Sequence, residues 1–458
     1  MNASAALARH VARTRFEDLP PAVVEVTKKS ILDAVGVSLA AGTLGEGCKA
    51  FVDVARAAGG RGESTLLGFG AKATAIMAAF ANGALAHALD FEDAHDGSLS
   101  HPNAPTVPAA LALAEAAGGV SGRELITAVA VGCDLACRLG MAVMNEERFE
   151  SGWYFPPIFG AFGAAAASSK VLRLPEEQVL DALALTLCQA TCTAEITASP
   201  RSVLRSVRDA FAAKAGVLSA LLAREGVAAF DEPFEGAAGL FRLYAGGRYD
   251  AAALTRGLGE VFEGEHVSFK PWPSCRFTHS YIELCLALRA AGEVSLEEIR
   301  EIRAVVGPSQ RALCEPLERK RRPETGIDAK FSVPFVIATA LAHGRVDLEH
   351  FEPTALADPR VLALAEKVTC VVDPERTVHE AARGVLEVET AKGTLVKAIE
   401  LPCGDPKKPM TTEQLVAKFM ACAGYAPRRF ERGERERAVE LLLGLEEVED
   451  VARLTAVL

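Results

Sequence analysis

KATAIMAAFANGALAHALDFEDAHDGSLSHPNAPTVPAALALAEAA, residues 72–117, places two alanine-rich apolar runs on either side of a short stretch crowded with ionisable groups. The runs at 72–89 and 105–117 are too long for strands and predict helices. Between them lie His87, His95 and His101 with Asp90, Glu92, Asp93 and Asp96. The segment from Asp90 to His101 contains Gly97 and Ser98 and ends at Pro102, so it must leave regular structure. Irregular segments on a rigid scaffold often carry function. A buried charge is costly unless paired, and pockets that shift pKa values are where acid–base chemistry is done.

Outward from this stretch the helical pattern continues. Pro20-Pro21 opens a helix whose apolar positions Val23, Val26, Ile31, Val35 and Leu39 recur at helical spacing. Residues 121–143, 158–172, 175–190 and 206–225 give further helices with small residues on their faces, which predicts a compact all-helical domain. The character changes near residue 266. KPWPSC (270–275) leads into a helix at 278–291, IREIRAVVG (299–307) alternates like a strand, and VTCVV (368–372) reads as a buried strand. VLEVETAKGTLVKAIELP (385–402) reads as two strands around Lys392-Gly393, with helices at 330–343 and 358–366 between. Helices at 411–423, 433–445 and 447–456 follow. The expected fold is mainly α: a large all-helical domain, discontinuous in sequence (1–265 and 403–458), plus a smaller α+β lid domain (266–402), with a ligand cleft between them.

The chain has 458 residues and a net charge of −11, which argues against a nucleic-acid partner but not against a small anionic substrate held by local arginines. The N-terminus lacks a signal-type apolar core, and the apolar runs, such as 158–167, read as too short or too rich in small residues to span a bilayer. Eleven scattered cysteines without a CxxC pair predict reduced thiols and a cytoplasmic protein with no membrane partner. Cys133/Cys137 and Cys188/Cys192 are read as thiols packed in buried helices.

Among candidate site residues, His101 suits general acid–base chemistry or a structural hydrogen bond, and Asp90 suits a helix cap or the orientation of a neighbouring histidine. His87 and His95 are read as structural or solvated. The cluster has ligand types a metal could use, but no HExxH-like spacing, and no metal is expected. SGWYFPP (151–157) offers Tyr154 and Phe155 either as an aromatic plug or as substrate contacts. Arg201, Arg205 and Arg208 fall on one helical face, as a solvated stripe or a clamp for carboxylates. KPWPSCRFTHSYIE (270–283) adds Lys270, Cys275 and His279; a Cys–His nucleophile pair would need an orienting group that the sequence does not show, and His279 is better read as an acid–base partner.

These segments together resemble the MmgE/PrpD family, which includes 2-methylcitrate dehydratases, cis-aconitate decarboxylases and iminodisuccinate epimerases. The resemblance rests on HALDFEDAH with the following HPNAPTVPAALALAE, on FGAFGAAAASSK (159–170), on FKPWPSCRFTHSYIE (269–283) and on AKFSVPFVIATALAHG (329–344). It implies a helical domain with an α+β lid, action on a polycarboxylate without metal or organic cofactor, and a homodimer. Asp90 looks like the family's first motif acid, His101 like its HP-motif histidine, and His279 like the histidine after the KPWPSC turn. Four positions depart. Phe155 stands where the family has a histidine, Arg205 and Arg208 stand where it has a lysine and a histidine, and Ala94 replaces a hydroxyl residue. Phenylalanine transfers no protons and arginine is practically never a base. The expected function is a lyase or an isomerase/epimerase that abstracts a proton beside a carboxylate of a small di- or tricarboxylate-like acid. In this expectation His101 and His279 exchange protons, Asp90 orients one of them, and Arg205, Arg208, Lys270, Tyr154 and Phe155 contact substrate. The alternatives are decarboxylation of an aconitate-like acid and a catalytically degraded member that only binds carboxylates.

Overall fold

Small side chains at helix crossings decide how the first part of the chain packs. A Cβ on Gly132, in the helix Gly122–Ala142, would lie 2.6 Å from the carbonyl oxygen of Gly163, in the helix Phe155–Val171. One on Gly216, in Asp209–Arg224, would lie 2.5 Å from the backbone nitrogen of Ala165. Backbones this close leave room for no larger residue, and the helices are locked by direct main-chain contact. The computed structural model describes residues 2–144, 151–199 and 202–458. The chain forms two units, Met1–Val267 with Thr411–Leu458, and Ser268–Met410.

The first unit is built from helices, including Ala3–Arg13, Pro21–Leu44, Cys48–Ala57, Ala75–His87, Asn103–Ala117, Glu176–Leu187, Thr412–Ala423 and Arg432–Leu443. Several starts carry the caps expected of them. The Ser121 hydroxyl accepts from the Glu124 amide while the Glu124 carboxylate accepts from the Ser121 amide, which satisfies two otherwise orphaned donors. The unit is not wholly helical: Ser64–Leu66 and Ala71–Ala73 form an antiparallel hairpin. Strands of three residues are too short to show an alternation, so periodicity misses them. Asn82 pins the hairpin to the Ala75–His87 helix, accepting from the Leu67 amide at 3.0 Å and donating to the Thr65 carbonyl at 2.9 Å.

Three local expectations change. The helix read at 447–456 is broken, with a 3-10 turn at Leu445–Glu447 and a short helix at Ala452–Thr455. Cys188 is exposed and Cys192 half-buried, because the Glu176–Leu187 helix ends before either of them. Cys133 and Cys137 are buried on one helix. The Gly122–Ala142 helix is long and apolar enough to cross a bilayer, against the reading that no run was, and it lies almost entirely buried in the helical packing of its unit. Arg138 and Asp134 pair inside it at 2.8 Å.

The second unit is a four-stranded sheet with helices. In spatial order its strands are Val368–Val372, Ile299–Val306, Gly384–Thr390 and Gly393–Ile399. The first pair is parallel, with Ile302 opposite Val368, and the others are antiparallel. Ile302, Ala304, Leu386 and Val388 face a core shared with the helices His279–Ala290 and Val333–His343. Residues 403–410, read from the sequence as part of the returning helical segment, belong to this unit. The Phe269 amide donates to the Gly404 carbonyl at 3.0 Å, and the Cys403 amide donates to Glu283 at 2.6 Å.

Candidate active site

The helix Ala75–His87 ends in a sharp turn, and that turn builds the site. Asp90 has a left-handed backbone, φ +50°, and its amide donates to the His87 carbonyl at 2.8 Å. Aspartate tolerates this region better than most residues, and such strain gathers at functional loops. The turn brings Glu92 back beneath the helix end. Glu92 Oε1 lies 2.5 Å from His87 Nδ1 and 2.9 Å from His101 Nδ1. One carboxylate oxygen thus receives both imidazoles, whose rings stand 4.7 Å apart.

The hydrogen on His101 can be placed. Its Nδ1 also lies 3.0 Å from the backbone carbonyl of Asp93, which can only accept, so Nδ1 carries the hydrogen. In the neutral ring, Nε2 is then the basic lone pair. His101 is the more exposed of the two histidines, with 15 % of its side chain accessible against none for His87. His87 is held neutral: burial first, and then the charge of Arg208, push its pKa down to about 4 against the pull of Glu92.

His95 takes a different part. The Ser98 amide donates to its Nδ1 at 3.0 Å and Ser98 Oγ lies 2.8 Å away, while His95 and Ser100 pair as a bridge. The ring is the buried post of a tight loop, in keeping with a structural reading. Asn103 donates to Asp93 at 2.7 Å and closes the base of this loop.

Arg205 and Arg208 reach the same neighbourhood with Tyr154. Helical backbone runs through Arg208 between Leu204–Val207 and Asp209–Arg224, which keeps the two arginines on adjoining positions of one face. Arg205 Nη2 donates to Tyr154 Oη at 3.2 Å, and the Arg208 guanidinium stands 5.0 Å from the Tyr154 ring centre. Arg201 lies outside the described residues. Arg208 is only 2 % exposed, so the reading of a solvated stripe does not hold for it. Burial opposes its charge, yet Tyr154, Asp209, Cys192 and Glu92 around it raise its pKa above the ordinary value. Its Nη1 donates to the Arg205 carbonyl, whereas Nε and Nη2 have no hydrogen-bond partner among the described residues. Those two nitrogens have the fork geometry that can receive a carboxylate, and Nε lies 3.7 Å from Asp209 Oδ2.

The structure therefore brings His101, Asp90, Arg205, Arg208 and Tyr154 into one neighbourhood of the first unit. Asp90 Oδ1 is 3.9 Å from His87 Nε2, and the Glu92 carboxylate meets His101 at 2.9 Å. Phe155 is buried and stacks on Phe159, ring centres 5.3 Å apart, as the aromatic plug would. Lys270 and His279 are fully buried in the second unit. His279 Nε2 lies 3.2 Å from the Ser274 carbonyl, and its ring meets Trp272 edge-on at 5.3 Å. Helix His279–Ala290 begins only at His279, after a 3-10 turn at Arg276–Thr278, so Cys275 and His279 do not share a regular helical face.

Sequence reasoning missed Glu92, the part of His87 and the buried carboxylate of Asp209. Ligand atoms of His87, Asp90, Glu92 and His101 all lie within 4.8 Å of one another, a set that could surround a cation. Both Nδ1 atoms, however, already share Glu92 Oε1, and Arg208 adds positive charge beside them. As folded, the group is a hydrogen-bonded acid–base cluster.

The chain is similar along its length to known proteins. The cis-aconitate decarboxylase of Aspergillus terreus is 26% identical over 462 residues, 96% of this chain and 93% of the relative. The cis-aconitate decarboxylase-like protein oryM of Aspergillus oryzae is 27% identical over 484 residues, 100% of this chain and 97% of the relative. A 2-methylcitrate dehydratase of Cupriavidus necator is 24% identical over 145 residues, 30% of each chain. Residues 5–252 match the MmgE/PrpD N-terminal domain and residues 272–445 the MmgE/PrpD C-terminal domain, so the chain belongs to the MmgE/PrpD family.

Proposed function

We propose that this chain is a lyase acting on a small di- or tricarboxylic acid, and that its chemistry begins with removal of a proton from the carbon beside a carboxylate. The observation that carries the reading is the pairing of an oriented base with an open cationic fork. His101 has its Nδ1 hydrogen held by Glu92, which leaves Nε2 as the base. Arg208 keeps two buried donors without a hydrogen-bond partner among the described residues, and Arg205 lies next to it. In this reading a substrate carboxylate sits on the Arg208 fork, which Asp209 links to His87 through contacts of 3.7 and 3.9 Å. As the proton leaves, charge spreads onto the carboxylate oxygens as an enediolate, and the fixed guanidinium stabilises it in a site shielded from water. Glu92 stabilises the imidazolium that forms on His101. His87, held neutral, keeps Glu92 in place without adding a competing charge. Elimination from this carbanion completes the lyase reaction as a dehydration. His279 and Lys270 stand as candidates on their sequence motif alone.

A panel of di- and tricarboxylic acids incubated in D2O tests this by NMR. The wild type incorporates deuterium beside a carboxylate. His101→Asn and Glu92→Gln lower the rate by about 100-fold or more, the usual worth of a positioned base, with melting temperature retained. Undiminished exchange in both variants overturns the assignment.

Decarboxylation is the second reading, favoured by the decarboxylase relatives that match over nearly the whole chain. There CO2 leaves first and His101, as imidazolium, protonates the carbanion. Headspace CO2 released from cis-aconitate separates the two.

A further inference from the structure

Beside the open fork of Arg208 lies a buried carboxylate that the proposed chemistry does not use. Asp209 is 1 % exposed, and neither of its oxygens has a hydrogen-bond partner among the described residues. Arg208 Nε pairs with Oδ2 at 3.7 Å, too long for a hydrogen bond, and His87 Nδ1 is 3.9 Å away, with its hydrogen committed to Glu92 at 2.5 Å. A buried carboxylate without donors is costly. The backbone around it is fixed, because a Cβ on Gly83 of the Ala75–His87 helix would lie 2.9 Å from the Asp209 carbonyl oxygen. The two groups are thus an ion pair at 3.7 Å in which, among the described residues, Nε and Nη2 of the fork and both carboxylate oxygens make no hydrogen bond.

We propose that Asp209 is a specificity-determining residue, accepting a hydrogen bond from a hydroxyl or amino group that the substrate carries next to the carboxylate held by Arg208. This rests on the carboxylate-binding reading above and narrows it. A polycarboxylate with acceptor groups only would set its oxygens against those of Asp209. One with an O–H or N–H donor satisfies both sides, and a site built to hydrogen-bond such a group discriminates strongly against an analogue that lacks it.

Two probe pairs differ by a single hydroxyl: citrate against propane-1,2,3-tricarboxylate, and malate against succinate. Titration calorimetry on the full chain is expected to show the hydroxylated member binding about tenfold more tightly or better. That ratio falls in Asp209→Asn, which keeps the shape, and approaches one in Asp209→Ala. Equal affinity within each pair for the wild type overturns the role of Asp209 and leaves the carboxylate reading standing. So does an unchanged ratio in Asp209→Ala or, where that variant does not fold, in Asp209→Asn. Failure of all four probes to bind overturns the carboxylate reading and this one with it.

Discussion

Burial acts on His87 and His95 in the same direction, holding both near pKa 4 from an ordinary 6.5. Well above pH 6.5, by about pH 7.5, both rings are essentially neutral in the folded and unfolded chains and contribute little pH dependence. As the pH falls from 6.5 towards 4, the unfolded chain takes up protons that the folded chain refuses. Stability therefore falls with falling pH, by about 1.4 kcal/mol per pH unit for each ring at full slope. Urea midpoints between pH 7.5 and 4.5 measure this. In His95→Gln the slope drops by about one ring's share; an unchanged slope shows that His95 is not the buried neutral group assigned here. The same residues show what a sequence can and cannot reveal. Asp90 and His101 stand out by type and setting. Glu92 is in plain view two residues after Asp90, yet its role depends on the left-handed turn at Asp90, which lets it meet His87 and His101 together. No periodicity encodes that turn. Asp209 follows Arg208 directly; only coordinates show that it lies buried 3.7 Å from Arg208 Nε and makes no hydrogen bond among the described residues.

Helices were legible where they are long and apolar, as at Gly122–Ala142 and Phe155–Val171. The hairpin Ser64–Leu66/Ala71–Ala73 was not, because its existence rests on Asn82 and on a turn with left-handed Gly68 and Gly70 rather than on pattern. Close helix contacts are half legible: glycine announces an approach without saying to what. The consequence is that one substitution has opposite signs at two places. Gly83→Ala puts a methyl group 2.9 Å from the backbone oxygen of Asp209, which cannot move aside cheaply, and is expected to cost about 1–3 kcal/mol. It also displaces the start of the helix that carries Arg208 and Asp209. Gly433, in the helix Arg432–Leu443, has open space around it, and Gly433→Ala is expected to stabilise by about 0.5 kcal/mol. Chemical denaturation measures both. Equal effects at the two positions would mean that the contact at Gly83 relaxes freely.

At the scale of the whole molecule, the chain leaves the first unit at Val267 and re-enters it at Thr411, and the returning segment holds the site loop from behind. Lys418, in the helix Thr412–Ala423, donates to the Phe91 carbonyl at 2.5 Å, pairs with Asp33 at 2.6 Å and stands 3.9 Å from the Phe91 ring centre. Phe91 is the residue before Glu92. The helical periodicity of 411–423 is visible in the sequence, but a contact spanning 327 residues is not, since nothing local marks which lysine turns inward. Lys418→Met keeps the length of the stem and removes the charge, leaving Asp33 buried without its lysine. Breaking such a buried pair costs about 3–5 kcal/mol. Part of that loss falls on the loop, whose Phe91 carbonyl no longer has its lysine. Hydrogen–deuterium exchange resolved by peptide is expected to rise across residues 88–101 and to stay unchanged across the strands Gly384–Thr390 and Gly393–Ile399 of the second unit. Deuterium incorporation into substrate falls along with it, because Glu92 loses the anchor beside it. If the loop peptides exchange as slowly as in the wild type, His87, Asn103 and the His95 hairpin suffice to hold Glu92, and the C-terminal return serves only the packing of the helices.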